Sequence, residues 1–146
     1  KDACVDVQED QLDCVKIILD KGYGPSVVKS SCSGLSGSGG ECFKLILNKG
    51  YGPSTAKDAC SNIKYRGLDC VETVLDKGYG PSVVKSTCEN LNTVSSKCIK
   101  YVLNKTYGPS TAKSTCEGTT RAQAQCIMDV MERGYGPSSA RSTCVN

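Results

Sequence analysis

Apolar residues recur along the chain in a fixed register: Val15, Ile18 and Leu19, then Phe43, Ile46 and Leu47, then Val71, Val74 and Leu75. The series continues with Ile99, Val102 and Leu103 and ends with Ile127, Val130 and Met131. Each trio directly follows a cysteine, so the apolar positions read i, i+1, i+4, i+5, the stripe of a helix with one buried face. Lys21, Lys49, Lys77, Lys105 and Arg133 fall in the last turn of that predicted helix, where positive charge complements the helix dipole. Gly22, Gly50, Gly78 and Gly134 follow as predicted left-handed C-caps. A Gly-Pro-Ser step comes next, and Pro25 and its equivalents suit the first turn of a new helix, where the missing N–H costs nothing. This second helix is short, residues 26–32 in the first copy. It should bury Val28, Ala56, Val84, Ala112 and Ala140, each four residues before a cysteine. The pattern predicts antiparallel helical hairpins.

The hairpin is repeated. Turn tyrosines stand at Tyr23, Tyr51, Tyr79, Tyr107 and Tyr135, 28 residues apart, within LDKGYGPSVVKSSC, LNKGYGPSTAKDAC, LDKGYGPSVVKSTC, LNKTYGPSTAKSTC and MERGYGPSSARSTC. A fixed period of this length is the signature of a repeat array. The predicted fold is all-α, a solenoid-like tandem array forming one repeat domain over residues 1–146. Its units lie at approximately 5–32, 33–60, 61–88, 89–116 and 117–144. The opening KDAC matches residues 57–60, so the chain starts on the tail of a unit. It reads as a mature or excised form whose leader has been removed.

Eleven cysteines follow the same period in two interleaved series. One is Cys4, Cys32, Cys60, Cys88, Cys116 and Cys144; the other is Cys14, Cys42, Cys70, Cys98 and Cys126. Such density in a small chain indicates a disulfide framework formed in an oxidising, extracellular compartment. Thiolate metal sites use closer pairs than C-x9-C and usually recruit His, which this chain lacks. Two pairings repeat cleanly. The preferred one bridges the turn: Cys14–Cys32, Cys42–Cys60, Cys70–Cys88, Cys98–Cys116 and Cys126–Cys144, leaving Cys4 unmatched. The other staples the segment between hairpins, from Cys4–Cys14 to Cys116–Cys126, and leaves Cys144. A nested scheme, Cys4–Cys42 around Cys14–Cys32, resembles that of twin C-x9-C helical hairpins but fails as a general rule, because a stretch such as SGLSGSGGE is a poor helix former. Each bridge should contribute about 2.5–3 kcal/mol, offsetting a core too thin to hold 28 residues alone.

Nine residues separate the hairpins: VDVQEDQLD, SGLSGSGGE, SNIKYRGLD, ENLNTVSSK and EGTTRAQAQ. Their length is constant while their chemistry varies, which predicts a solvent-facing connection of fixed geometry, a place for recognition or for drift.

Composition narrows the chemistry further. Lys and Arg exceed Asp and Glu by 18 to 15, a mild excess that does not suggest nucleic acid. With no His, imidazole triads, acid–base chemistry and His metal sites are excluded. Asp10, Asp13 and Glu41 sit in variable segments without recurring partners, and SGLSGSGGE lacks the Lys of a phosphate loop. The chain is expected to be no enzyme and to carry no cofactor or metal. No apolar run reaches the ~18 residues that cross a bilayer, so no membrane role is expected.

Four surface features remain. Asn104-Lys105-Thr106 is a glycosylation sequon, created where Thr106 replaces the glycine of the other repeats. A second basic register, Lys29, Lys57, Lys85, Lys113 and Arg141, could track a polyanion such as an acidic glycan if hairpins stack, although a solvated face is the stronger explanation. The turn tyrosines read as lids over the hairpin ends. The unmatched Cys4 offers covalent self-association. The order helix, tight glycine turn, helix, cysteine resembles extracellular, cysteine-bridged relatives of tetratricopeptide-type helical repeats; the likeness is one of layout and carries no functional residues. These features point to a secreted, non-enzymatic structural or assembly protein of an extracellular material. The alternative is a secreted recognition module (toxin, effector or acidic-glycan binder) working through the variable segments or basic ladders.

Overall fold

The computed structural model describes residues 12–145, and among them all regular structure is helical. Hairpins form from α1 (Leu12–Asp20) and α2 (Pro25–Cys32), α3 (Gly37–Asn48) and α4 (Pro53–Cys60), and α5 (Leu68–Asp76) and α6 (Pro81–Cys88). Two more follow, α7 (Thr93–Asn104) with α8 (Pro109–Cys116) and α9 (Arg121–Glu132) with α10 (Pro137–Cys144). Each short second helix starts at its proline, behind a glycine in extended conformation. That is where a residue with φ preset and no N–H belongs.

The chain divides into two compact units, one ending at Asn90 and one beginning at Leu91. In the first, α1, α3 and α5 pack side by side as one layer and α2, α4 and α6 as another. In the second, α7 packs on α9 and α8 on α10 in the same way. Between the layers of each unit lie the predicted stripes. Phe43, Ile46, Leu47, Val71, Val74, Leu75, Ile99, Val102, Leu103, Ile127 and Met131 are buried, with Val28, Ala56, Val84, Ala112 and Ala140 opposite them. The small partner in the second helix lets the layers approach closely.

The turn between paired helices follows the glycine-cap prediction. Gly22, Gly50, Gly78 and Gly134 hold φ of 88°, 96°, 90° and 99°, and Thr106 occupies the same place at φ 75°. A β-branched residue in this left-handed region is strained, because its Cβ crowds the neighbouring carbonyl.

The segments between hairpins differ from the solvent-facing connection expected. Leu35, Ile63 and Leu91, each three residues past a cysteine, are buried plugs between helices. Gly34 and Asn90, one residue before Leu35 and Leu91, turn the chain with φ of 81° and 57°, and Gly118 does so at the same place in the last segment with φ of 70°. From Gly37, Thr93 and Arg121 onward three of the segments are already helix, and in the segment 61–69 a 3-10 turn at Tyr65–Gly67 leads into α5, so the first helix begins before its cysteine. Even SGLSGSGGE is helical from Gly37 onward. Ser36 Oγ caps it by accepting from Gly39 N at 3.0 Å, and Gly39 and Gly40 are buried against the hairpin. Packing overrides the poor propensity of glycine here. In the second unit Asn92 with Ser95, and Thr120 with Gln123, form reciprocal capping boxes at the same place.

Candidate functional site

The ten cysteines of the described residues form five disulfides across the turns, Cys14–Cys32, Cys42–Cys60, Cys70–Cys88, Cys98–Cys116 and Cys126–Cys144. The turn-bridging pairing is thus the one present, and the loop-stapling one is not. The reason is geometric: a cysteine early in the first helix and one ending the second come level in an antiparallel hairpin. Their Cα atoms stand 5.6–5.8 Å apart, the span a disulfide needs. The first four bridges are fully buried, while Cys126 and Cys144 are partly exposed. Cys4 lies outside the described residues.

Members of both basic registers join one hairpin to the next. Lys49 Nζ lies 3.2 Å from Asp76 Oδ1, and Lys105 Nζ lies 3.2 Å from Glu132 Oε2. Each lysine reaches the acid 27 residues ahead, at the end of the next first helix, rather than the acid beside it in sequence. The second register reaches backwards along the second helices. Lys57 Nζ donates to Ser30 O at 2.5 Å, and Lys85 Nζ pairs with Asp58 Oδ1 at 3.1 Å. Arg141 Nη1 donates to both Thr115 O and Glu117 O at 2.9 Å. The acceptors sit at the C-terminal end of the preceding second helix, where unsatisfied carbonyls concentrate negative charge. Three of the five residues proposed as an anion ladder, Lys57, Lys85 and Arg141, therefore spend their charge within the protein; Lys113 is also engaged, and Lys29 is exposed on α2.

Around Glu132 the contacts are densest. Its carboxylate accepts from Tyr101 Oη as well as pairing with Lys105, and the Lys105 ammonium lies 5.3 Å from the Tyr101 ring centre. The hydrogen bond from Tyr101 first, and that from Lys105 second, hold the Glu132 carboxyl below its ordinary range. The Tyr101 hydroxyl is raised by burial and by its bond to Glu132, and Lys105 is raised by Glu132.

The turn tyrosines are half-exposed flaps rather than closed lids. Tyr23, Tyr51, Tyr79 and Tyr107 are 37–40% exposed and Tyr135 is 61% exposed. Tyr51 lies against the next repeat, its Oη 3.5 Å from where a Cβ on Gly80 would stand. Asn104 is exposed at the last turn of α7, in reach of solvent as a glycan acceptor must be.

Two features went unseen in the sequence. The buried plugs Leu35, Ile63 and Leu91 were hidden inside segments whose remaining residues vary. The signal that marks them is a Gly or Asn two residues after each cysteine, followed by an aliphatic residue. The 27-residue pairing was hidden too: the acid position alternates as Asp20, Asn48, Asp76, Asn104 and Glu132, but which lysine meets it depends on how one hairpin packs on the next. In the second unit the variable segments also line a groove of about 210 Å3 between α7 and α9, with Val94, Ala124 and Met128 on it and Lys97 and Arg121 beside them.

Among the described residues no group of three or more His, Cys, Asp or Glu could hold a metal ion, and no helix is long and apolar enough to cross a membrane. Comparison of the chain with protein-family models, with curated proteins and with solved structures gave no match. The structure itself defines the class: a disulfide-stabilised, all-helical tandem array of hairpins.

Proposed function

We propose that this chain is a secreted, non-enzymatic structural protein of an extracellular material, such as a secretion, coat or mucus. One observation carries the reading: the chemistry that recurs every 28 residues is spent on holding repeats, as core disulfides within hairpins and charged contacts between them. Disulfides in every described hairpin, four of the five buried, suit a chain made and kept under oxidising conditions. A glycan on the exposed Asn104 belongs to the same proposal; treatment with a peptide-N-glycosidase would lower the intact mass of native material.

The test is fractionation of the producing organism's extracellular material. The protein should stay in the insoluble matrix after salt extraction and be released by denaturant. Complete recovery in the freely soluble fraction would overturn the reading.

The groove between α7 and α9 favours a second reading, recognition through the variable segments. Under it, Lys97→Glu with Arg121→Glu abolishes binding to an acidic partner while thermal stability stays unchanged.

A further inference from the structure

The interior seams within each unit share one construction. The last apolar residue of the first helix (Leu47, Leu75, Met131) and the turn proline (Pro53, Pro81, Pro137) are buried in every repeat that has a described hairpin before it in its unit. At two of the three seams a basic residue at the end of a first helix pairs with an acid 27 residues ahead, the third having Asn48 there, and at all three a basic residue in a second helix reaches the C-terminal end of the previous one. Every seam thus has a leading half and a following half. The two ends of the described chain each present one half without the other.

At the α1/α2 end the following half is open. Leu19 is 50% exposed where its equivalents are buried, and Pro25 is exposed where Pro53, Pro81, Pro109 and Pro137 are buried. At the α9/α10 end the leading half is open. Val130 and Cys126 are partly exposed where Ile46, Val74 and Val102, and Cys42, Cys70 and Cys98, are buried. Thr143 is exposed where Ser31, Thr87 and Thr115 are buried, and Tyr135 is the most exposed turn tyrosine.

We infer that a second copy of this chain covers these faces, the α9/α10 end of one copy receiving the α1/α2 end of the next. Charge complementarity selects that occupant. Arg133 holds the position of Lys49 and Lys105, and Asp20 holds the position of Asp76 and Glu132, so Arg133 of one copy meets Asp20 of the next as the interior pairs meet. Lys29 holds the position of Lys57, Lys85 and Arg141, and the end of α10 supplies the carbonyls that those residues use elsewhere. Arg133, Asp20 and Lys29 are all exposed. Leu19 and Pro25 fill the place that Val130, Thr143 and the Tyr135 ring leave open. The contact is heterologous, because the two faces differ, and it does not saturate at a dimer unless the series closes into a ring. This inference deepens the structural reading and rests on it for its biological sense, not for its physics.

Sedimentation of the oxidised full chain tests it, with non-reducing denaturing electrophoresis of the same samples reading any covalent species at Cys4 separately. Mean mass should rise with concentration without covalent bonding. Leu19→Lys, on an exposed position and so with unchanged melting, should weaken association at least about tenfold. Asp20→Lys and Arg133→Glu should each weaken it severalfold, and the chain carrying both changes should recover. An equimolar mixture of the two single variants should recover association in alternating order, since both kinds of mixed junction bring opposite charges together while each variant alone brings like charges together. Mass that stays monomeric up to about 1 mM, the weak end of specific affinity, or association indifferent to Leu19→Lys, overturns the inference. Monomers in solution with protein still held in the matrix would leave the proposed function standing; assembly in solution with protein only in the soluble fraction would do the reverse.

Discussion

Lys49 Nζ stands 3.2 Å from Asp76 Oδ1, across a distance of 27 residues in sequence and one repeat in space. Both side chains are about half exposed, so the pair is screened and fixes the register of α3 on α5 more than it stabilises the fold. A double-mutant cycle with Lys49→Met and Asp76→Asn should give a coupling of roughly 0.2–1 kcal/mol that shrinks as salt rises. Asn48→Asp should create the corresponding pair with Lys21, visible as slower hydrogen exchange in α1 and α3. No coupling at low salt would refute the register role.

The disulfides should not reduce together. Cys126–Cys144 is partly exposed and the others are buried, so limited dithiothreitol followed by alkylation and mass spectrometry should label Cys126 and Cys144 first. Cys98→Ala with Cys116→Ala should cost about 3 kcal/mol in urea unfolding through the loop it no longer closes. An unchanged midpoint would mean that packing alone holds the hairpin.

Thr106 sits at φ 75°, where the equivalent repeats use glycine. Thr106→Gly should raise stability by about 1 kcal/mol, and Gly50→Thr should lower it by a similar amount. Thermal melts of the two variants should move in opposite directions. Because Thr106→Gly also erases the sequon, it should remove any glycan from Asn104.

Gly67 precedes α5 where a Cβ would come within 2.8 Å of Cys88 O, the backbone end of its partner helix. At the equivalent Gly39 the closest neighbours are side-chain atoms at 3.3 Å. Gly67→Ala should therefore cost about 1–3 kcal/mol, and Gly39→Ala clearly less, by chemical denaturation. Equal effects would show that α5 can shift away from α6 freely.

Glu132 should titrate below an ordinary glutamate, because Tyr101 and Lys105 both bond its charged form. Its folded value is depressed, so its contribution to stability is full above the ordinary glutamate range and is lost as pH falls through the folded value. On the alkaline side Tyr101 and Lys105 are raised, so theirs is full below their ordinary values and is lost as pH rises through the folded ones. Carboxyl NMR shifts of Glu132 should show the low midpoint. Tyr101→Phe should move it back toward the ordinary value; a midpoint that does not move would exclude the Tyr101 bond as the cause.

The legible part of this protein is whatever repeats. Cysteines spaced 18 apart around a glycine turn place Cys42 and Cys60 level in a hairpin, and the stripe at Phe43, Ile46 and Leu47 names the face that must be buried. Those outcomes depend on local geometry and period, which one strand of text contains. The partners of Lys49, Lys57 and Arg141 depend on how far one hairpin is displaced against the next, and composition does not encode that offset. The glycine-rich stretch before Cys42 looked like a loop because propensity counts only the isolated chain. Against the end of α4 the same absence of side chains lets the helix approach, and packing outweighs the entropy of glycine. The exposed Leu19 and the partly exposed Val130 belong to the same lesson: their positions read as core in every repeat, and only the tertiary structure shows that among the described residues nothing lies across them.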